Sequence, residues 1–216
     1  MTRRGPAVQP GISGGATRIK SRTAAGSAPG TPCAPRPVLF DVQFDGRAVE
    51  VGDWALLILR VVVGVTLAAH GYNKFFGGGR IAGTARWFES IGMRPGRRGA
   101  ILAAGSEIAA GLALAAGFLT APAAAGCVGL MTVAFWVAHR GKGFFVMNDG
   151  WEYTAVLAAV AVVIAMLGPG ELSLDRVIRL DGALDGWVGL AVSLGGGVLA
   201  AVLLLAVLYR PAARDA

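Results

Sequence analysis

A succession of long apolar runs, at about residues 54–70, 99–120, 121–139, 151–167 and 187–209, limits what this chain can become. Each approaches or reaches the roughly 20 apolar residues that a helix needs to cross the hydrocarbon core of a bilayer. Inside lipid every backbone N–H and C=O has to be satisfied within the spanning structure, and uninterrupted apolar runs of this length do so as helices. The expected fold is an all-α integral membrane protein, a four-helix transmembrane bundle followed by a fifth, C-terminal transmembrane helix.

Composition agrees. The chain is 55% hydrophobic and only 15% charged, against roughly 25% charged residues in soluble domains. Its 33 glycines suit helices that pack at close range in lipid. The net charge of +7 comes from the N-terminal segment and the loops, not from one aromatic-interleaved face. Such charges sit against headgroups and help to set topology, so the expected partner is the lipid bilayer and not nucleic acid.

Four regions follow from the pattern. Residues 1–37, rich in Gly, Pro, Ser, Thr and Arg, read as a disordered tail, and Arg3-Arg4 lacks the apolar core of a secretory signal. Residues 38–51 partly alternate around Asp45-Gly46 and read as a short polar or β segment. Residues 52–178 hold four spans, and 179–216 a linker and the fifth. The second and third spans are joined by the tight turn Leu119-Thr120-Ala121-Pro122. Between the first and second, Ile81, Ala85, Phe88 and Ile91 recur at helical spacing and predict an amphipathic helix at the interface. Charges close to the spans favour a cytoplasmic first loop, whereas counting the whole tail nearly cancels that preference.

Whichever way the protein is oriented, the alternation of spans gathers His70, Lys74, Glu107, His139 and Glu152 in one half of the bilayer. Arg60 falls in the other half. Glu107 lies about 12 Å along its span at 1.5 Å per residue. Ala103, Gly111 and Ala115 share its face at four-residue spacing, so it is expected to point at another helix. A carboxylate there has to be protonated, paired or hydrogen-bonded. It is therefore either a structural tie to Lys74, His70 or Arg60, or a proton-handling group beside a polar headgroup such as a quinone carbonyl. Arg60 shares a small-residue face with Gly64 and Ala68, and its long stem suits snorkelling to its nearer interface better than reaching Glu107. Glu152 suits the positive end of its own helix, and Trp151 and Tyr153 suit interfacial anchoring.

Other chemistries find little support. His70 and His139 lie at span ends, which argues against haem, and two histidines without a Cys or Asp cluster argue against another metal. Cys33 and Cys127 form no Cys-x-x-Cys pair. Gly77-Gly78-Gly79 and Gly195-Gly196-Gly197 lack the βαβ frame of a nucleotide loop.

Several motifs carry a resemblance: His70-Gly-Tyr-Asn-Lys-Phe-Phe-Gly77, the Glu107–Thr120 stretch, Gly143-Phe-Phe, Asn148-Asp-Gly-Trp-Glu-Tyr153 and the Gly168–Asp175 exit. Together they resemble the DoxX family over about residues 52–178. The resemblance implies a small multi-pass protein of the prokaryotic inner membrane with a redox association, related to the membrane subunit of thiosulfate:quinone oxidoreductase. Its polar positions match at His70, Lys74, Glu107 and Glu152. In a first reading the chain is a quinone-interacting subunit of a membrane oxidoreductase. Glu107 and His70 then handle protons, and a polar cluster of Lys74, Asn148, Trp151, Glu152 and Tyr153 holds the headgroup. In a second it is a non-catalytic anchor that recruits soluble oxidoreductases through its first loop.

Overall fold

The computed structural model describes residues 43, 44 and 47–210; the segment read as a disordered tail and the Asp45-Gly46 turn lie outside them. Gln43–Phe44 (β1) pairs antiparallel with Arg47–Ala48 (β2), and the described residues after them are helical or loop apart from an isolated antiparallel bridge between Met93 and Tyr209. The helices are α1 Val51–Phe76, α2 Arg80–Ser90, α3 Gly96–Ala116, α4 Thr120–His139, α5 Glu152–Leu167, α6 Leu174–Val177 and α7 Gly186–Leu208. The last turn of α4 and residues Ala191–Gly196 of α7 are wound as π-helix.

Among the described residues four helices, α1, α3, α4 and α7, are long and apolar enough to cross a membrane. The fourth expected span, α5, has only 16 residues, about 24 Å at 1.5 Å per residue. Its ends nevertheless meet the two ends of α1. Tyr153 Oη lies 3.2 Å from His70 Nε2, and just beyond the other end the Glu171 amide donates to Asp53 Oδ1 at 3.0 Å.

Helix α1 continues six residues past the expected exit at His70, so that Tyr72, Asn73 and Lys74 are helical. At its start the Glu50 amide donates to Asp53 Oδ2 at 3.0 Å, satisfying a donor that the helix leaves free. The amphipathic α2 is present as expected and buries Ala85 and Phe88 against the bundle.

Small residues set the closest contact, between α1 and α3. A Cβ placed on Gly64 would collide with the backbone of Gly111 and Ala115, and one on Gly111 with Gly64 and Ala68. Glu107 is buried on this face as expected, but its neighbour one turn earlier is Ala104, wholly buried; Ala103 instead packs towards α2 and α7. Because an α-helix repeats every 3.6 residues, a stripe drifts from four-residue to three-residue steps. The main core is filled from α1, α3, α4 and α5, with Leu67, Leu114, Val128 and Ile164 almost fully buried. Helix α7 lies against α4, with its first turns on α5 and Val192 packed against that core.

A knot of charge closes the bundle at the end where α1 begins. Arg60 is fully buried, and its guanidinium donates to the Leu172 carbonyl in the segment after α5. Asp175 and Asp53 supply compensating charge. Arg60 thus stays in its own half and does not reach Glu107. It reaches its nearer end through protein, not along the lipid interface, because the 168–175 segment folds over it. Gly117, left-handed at φ +65°, ends α3 directly against the guanidinium, where a Cβ would overlap it.

Asp175 is itself 4% exposed and caps α4 from a distance. It accepts from Leu119 N at 2.7 Å, Thr120 N at 2.9 Å and Thr120 Oγ1 at 2.7 Å. Replacing Asp175 with Ala removes three hydrogen bonds and a compensating charge at once. The expected cost is about 3–5 kcal/mol, the range for breaking a buried pair. Thermal melting of the detergent-solubilised protein checks it; a midpoint equal to wild type would refute the closing role.

Candidate functional site

The polar residues expected on one side do meet at the end opposite Arg60. They gather in three groups, not in one cluster.

The first group is an ion pair. Lys74 Nζ lies 2.7 Å from Glu107 Oε1 and 2.5 Å from Oε2, with side chains 20% and 10% exposed. Of the three ties considered for Glu107, the structure forms the one to Lys74. The helical extension of α1 makes this possible. Lys74 stands on the same side of α1 as Gly71, and Gly71 packs so tightly on Ala104 and Glu107 that no side chain fits there. The lysine therefore drops along bare backbone onto the carboxylate.

One turn back on α1, His70 forms the second group with Tyr153 of α5. Besides the Oη–Nε2 contact, their ring centroids are 5.9 Å apart. His70 is exposed and Tyr153 is 38% exposed, so this pair sits at the outer surface of the bundle while Lys74–Glu107 is sunk into it.

The third group is the loop between α4 and α5. His139 Nδ1 lies 2.6 Å from the Asp149 carbonyl oxygen, Lys142 Nζ lies 3.1 Å from Asp149 Oδ2, and Glu152 Oε2 accepts from the Val146 amide at 3.0 Å. Glu152 thus braces the loop with its carboxylate while standing in the first turn of α5, where the helix dipole also favours it. Trp151 packs edge-on to Phe135 and Phe144. Asn148 is exposed in the short turn Val146–Asn148. Of the residues read as one headgroup-binding cluster, Lys74 belongs to the first group, Tyr153 to the second, and Asn148, Trp151 and Glu152 to this loop.

Chemically, the end holds a carboxylate, an ammonium, an imidazole and a phenol on three neighbouring helices. A lysine ammonium has three N–H donors. Two are directed at Glu107, and one is left for another acceptor. His70 and Tyr153 can each donate or accept. Among the described residues no group of three or more His, Cys, Asp or Glu side chains is placed to hold a metal ion.

Sequence reasoning missed Asp175 and Asp53, which fix the Arg60 end. Asp175 closes a quoted motif, but nothing in a linear sequence indicates that its carboxylate would cap a helix about 55 positions earlier.

Residues 55–140 match the family model described as DoxX, a stretch that contains His70, Lys74 and Glu107 and ends before Asn148 and the α5 residues. No curated protein and no solved structure matches the chain.

The bracing role of Glu152 is open to measurement by hydrogen exchange. Replacing Glu152 with Ala removes a charge-assisted acceptor worth about 1.5–3 kcal/mol. The Val146 amide should then exchange at least about tenfold faster, since 1.4 kcal/mol is a factor of ten. Unchanged exchange there would mean that the loop is held by its aromatic packing alone.

Proposed function

We propose that this membrane protein, which matches the DoxX family model over residues 55–140, is a quinone-interacting subunit of a membrane redox system. The observation that carries the reading is the succession on α1 of two proton-capable pairs, His70 with Tyr153 and Lys74 with Glu107. They are one helical turn apart, about 6 Å of rise. A quinone headgroup presents two carbonyl oxygens as acceptors and takes up two electrons and two protons.

The residues fit such a group. The remaining donor of Lys74 suits one carbonyl, and the Tyr153 hydroxyl or His70 imidazole suits the other. Glu107, sunk beside Lys74, is placed to hold or release a proton where water is scarce, and exposed His70 is placed to exchange it with the interface. The apolar helix surfaces around them suit an isoprenoid tail. Electrons come from a partner in this reading, a soluble oxidoreductase at the same end.

A specific observation favours a second reading, that of a non-catalytic anchor. Phe144, Phe145, Val146 and Met147 are all exposed, Met147 at 93%, on a loop held by the contacts of His139, Lys142 and Glu152. A braced apolar tip suits docking of another protein.

Two finer features belong to the same proposal. Because α5 meets both ends of α1, it serves as a fifth crossing, in a locally thinned bilayer. The His70 end carries Lys74, Arg80, Arg86, Arg94, Arg97, Arg98, Arg140, Lys142 and Arg210. The Arg60 end carries Arg47, Arg176 and Arg179 beside Glu50, Asp53, Glu171, Asp175, Asp181 and Asp185, and six more Lys and Arg precede it in the N-terminal segment. Counting only the Lys and Arg close to the spans favours the His70 end in the cytoplasm of a prokaryotic inner membrane, and counting the whole N-terminal segment nearly cancels that preference.

Quinone content tests the main reading. Wild type, Glu107→Gln and Tyr153→Phe are purified gently, shown to elute as the same monodisperse species, and extracted. Near-stoichiometric quinone in wild type that falls several-fold in both variants is the expected result. No quinone in any of the three sinks the redox subunit and leaves the anchor.

A further inference from the structure

An apolar cavity lies away from these polar pairs, between α2, α3, α4 and α7, and has a volume of about 370 Å³. It falls within the roughly 300–1,000 Å³ usual for small-molecule sites. Its walls are apolar and small, with Leu102, Ala103, Gly126, Val133, Ala200 and Leu204 among them. The lining hydroxyl, Ser106 Oγ, is turned back onto the Leu102 and Ala103 carbonyls. The cavity therefore offers a headgroup no free hydroxyl donor, whereas a hydrocarbon chain needs none. Leu102, 54% exposed, and the exposed Ala200 open the cavity towards the lipid.

Towards the His70 end, Phe88, Met93 and Leu208 close it and pack together as a separate small cluster. Arginines surround that closure. Arg98 stands one turn above Leu102 and two above Ser106 on the cavity-facing side of α3, at four-residue spacing. The Arg94 amide donates to the Leu208 carbonyl at 2.7 Å, and the Arg210 amide to Gly92 at 2.6 Å, so both side chains start from the same rim. Arg94, Arg97, Arg98 and Arg210 are exposed and form no ion pair among the described residues, and Arg210 Nη1 donates to the Ala206 and Tyr209 carbonyls at 2.9 and 3.0 Å. Between residues 74 and 98 the only acid is Glu89.

We infer that this is a binding site for an anionic phospholipid, with an acyl chain in the cavity and the phosphate at Arg94, Arg98 and Arg210. An apolar slot ending in guanidinium groups that have no carboxylate partner among the described residues, at headgroup level, matches both parts of such a lipid, and guanidinium recognises phosphate through paired N–H donors. The site shares no residue with the Lys74–Glu107 and His70–Tyr153 pairs and does not rest on the proposed function.

Native mass spectrometry of the full chain in detergent tests it, with added phosphatidylglycerol or phosphatidylcholine of identical acyl chains. Wild type should prefer phosphatidylglycerol by about tenfold or more. In the Arg94→Gln, Arg98→Gln, Arg210→Gln triple variant the preference should shrink to within about twofold, with binding of the neutral lipid unchanged. Ala200→Phe, which fills the cavity from an exposed position, should weaken both lipids. The melting midpoints of both variants are measured to show that they remain folded. Equal binding of the two lipids by wild type overturns the inference, as does an undiminished preference in the arginine variant. So does a cavity found to hold quinone and no phospholipid, with the quinone displaced by Ala200→Phe.

Discussion

A charge inside a lipid-embedded bundle is tolerated only where protein supplies what water would have supplied. Here α1 carries two such charges, Arg60 towards one end and Lys74 towards the other, and each is answered by a different part of the chain. Lys74 is answered by Glu107 of α3, and Arg60 by the 168–175 segment, with Asp53 contributing from α1 itself. These two meetings fix how far α3 slides along α1 and where the chain after α5 lies. Gly64, Gly71 and Gly111 make the first possible by removing the side chains that would hold α1 and α3 apart, and Gly117 leaves the room that the Arg60 guanidinium occupies.

The consequence for function is a division of labour between the ends. At the Arg60 end every strong interaction is structural: Asp175 caps α4 and the buried guanidinium ties down the segment above it. Arg60 Nε and Nη1 have no hydrogen-bond partner among the described residues but are enclosed, whereas at the His70 end the unused capacity lies nearer the surface. Lys74 keeps a donor, His70 and Tyr153 stand at the surface, and the loop braced by Glu152 presents Phe145 and Met147 outward. Chemistry or recognition is better accommodated where groups are held but not exhausted, and the proposals made above all fall at this end.

Much of this was legible in the sequence, for a physical reason. Apolar run length and alternation of spans decide which residues share a side, and they correctly separated Arg60 from His70, Lys74, Glu107 and Glu152. The inward face of Glu107 was legible from its glycine and alanine neighbours. Boundaries were less so. A run of hydropathy stops at His70 although the helix does not, since Tyr72, Asn73 and Lys74 are polar without being helix-breaking. The shortness of α5 was visible, whereas its contacts at both ends of α1 were not. Nor was the split of the expected headgroup cluster into separate groups, because which side chains meet depends on helix rotation and loop path. Asp175 was the largest omission: its partners are three donors on a distant turn, and no local spacing encodes them.

The ion pair between α1 and α3 is the interaction most directly open to test, by exchanging its charges. Lys74→Glu alone places two carboxylates together, and Glu107→Lys alone two ammonium groups; each single variant should melt far below wild type or fail to fold. The double exchange, Lys74→Glu with Glu107→Lys, should restore most of the lost melting midpoint, because opposite charges again face each other across the glycine-lined contact. A double variant no more stable than the worse single one would show that the two side chains do not pair across α1 and α3.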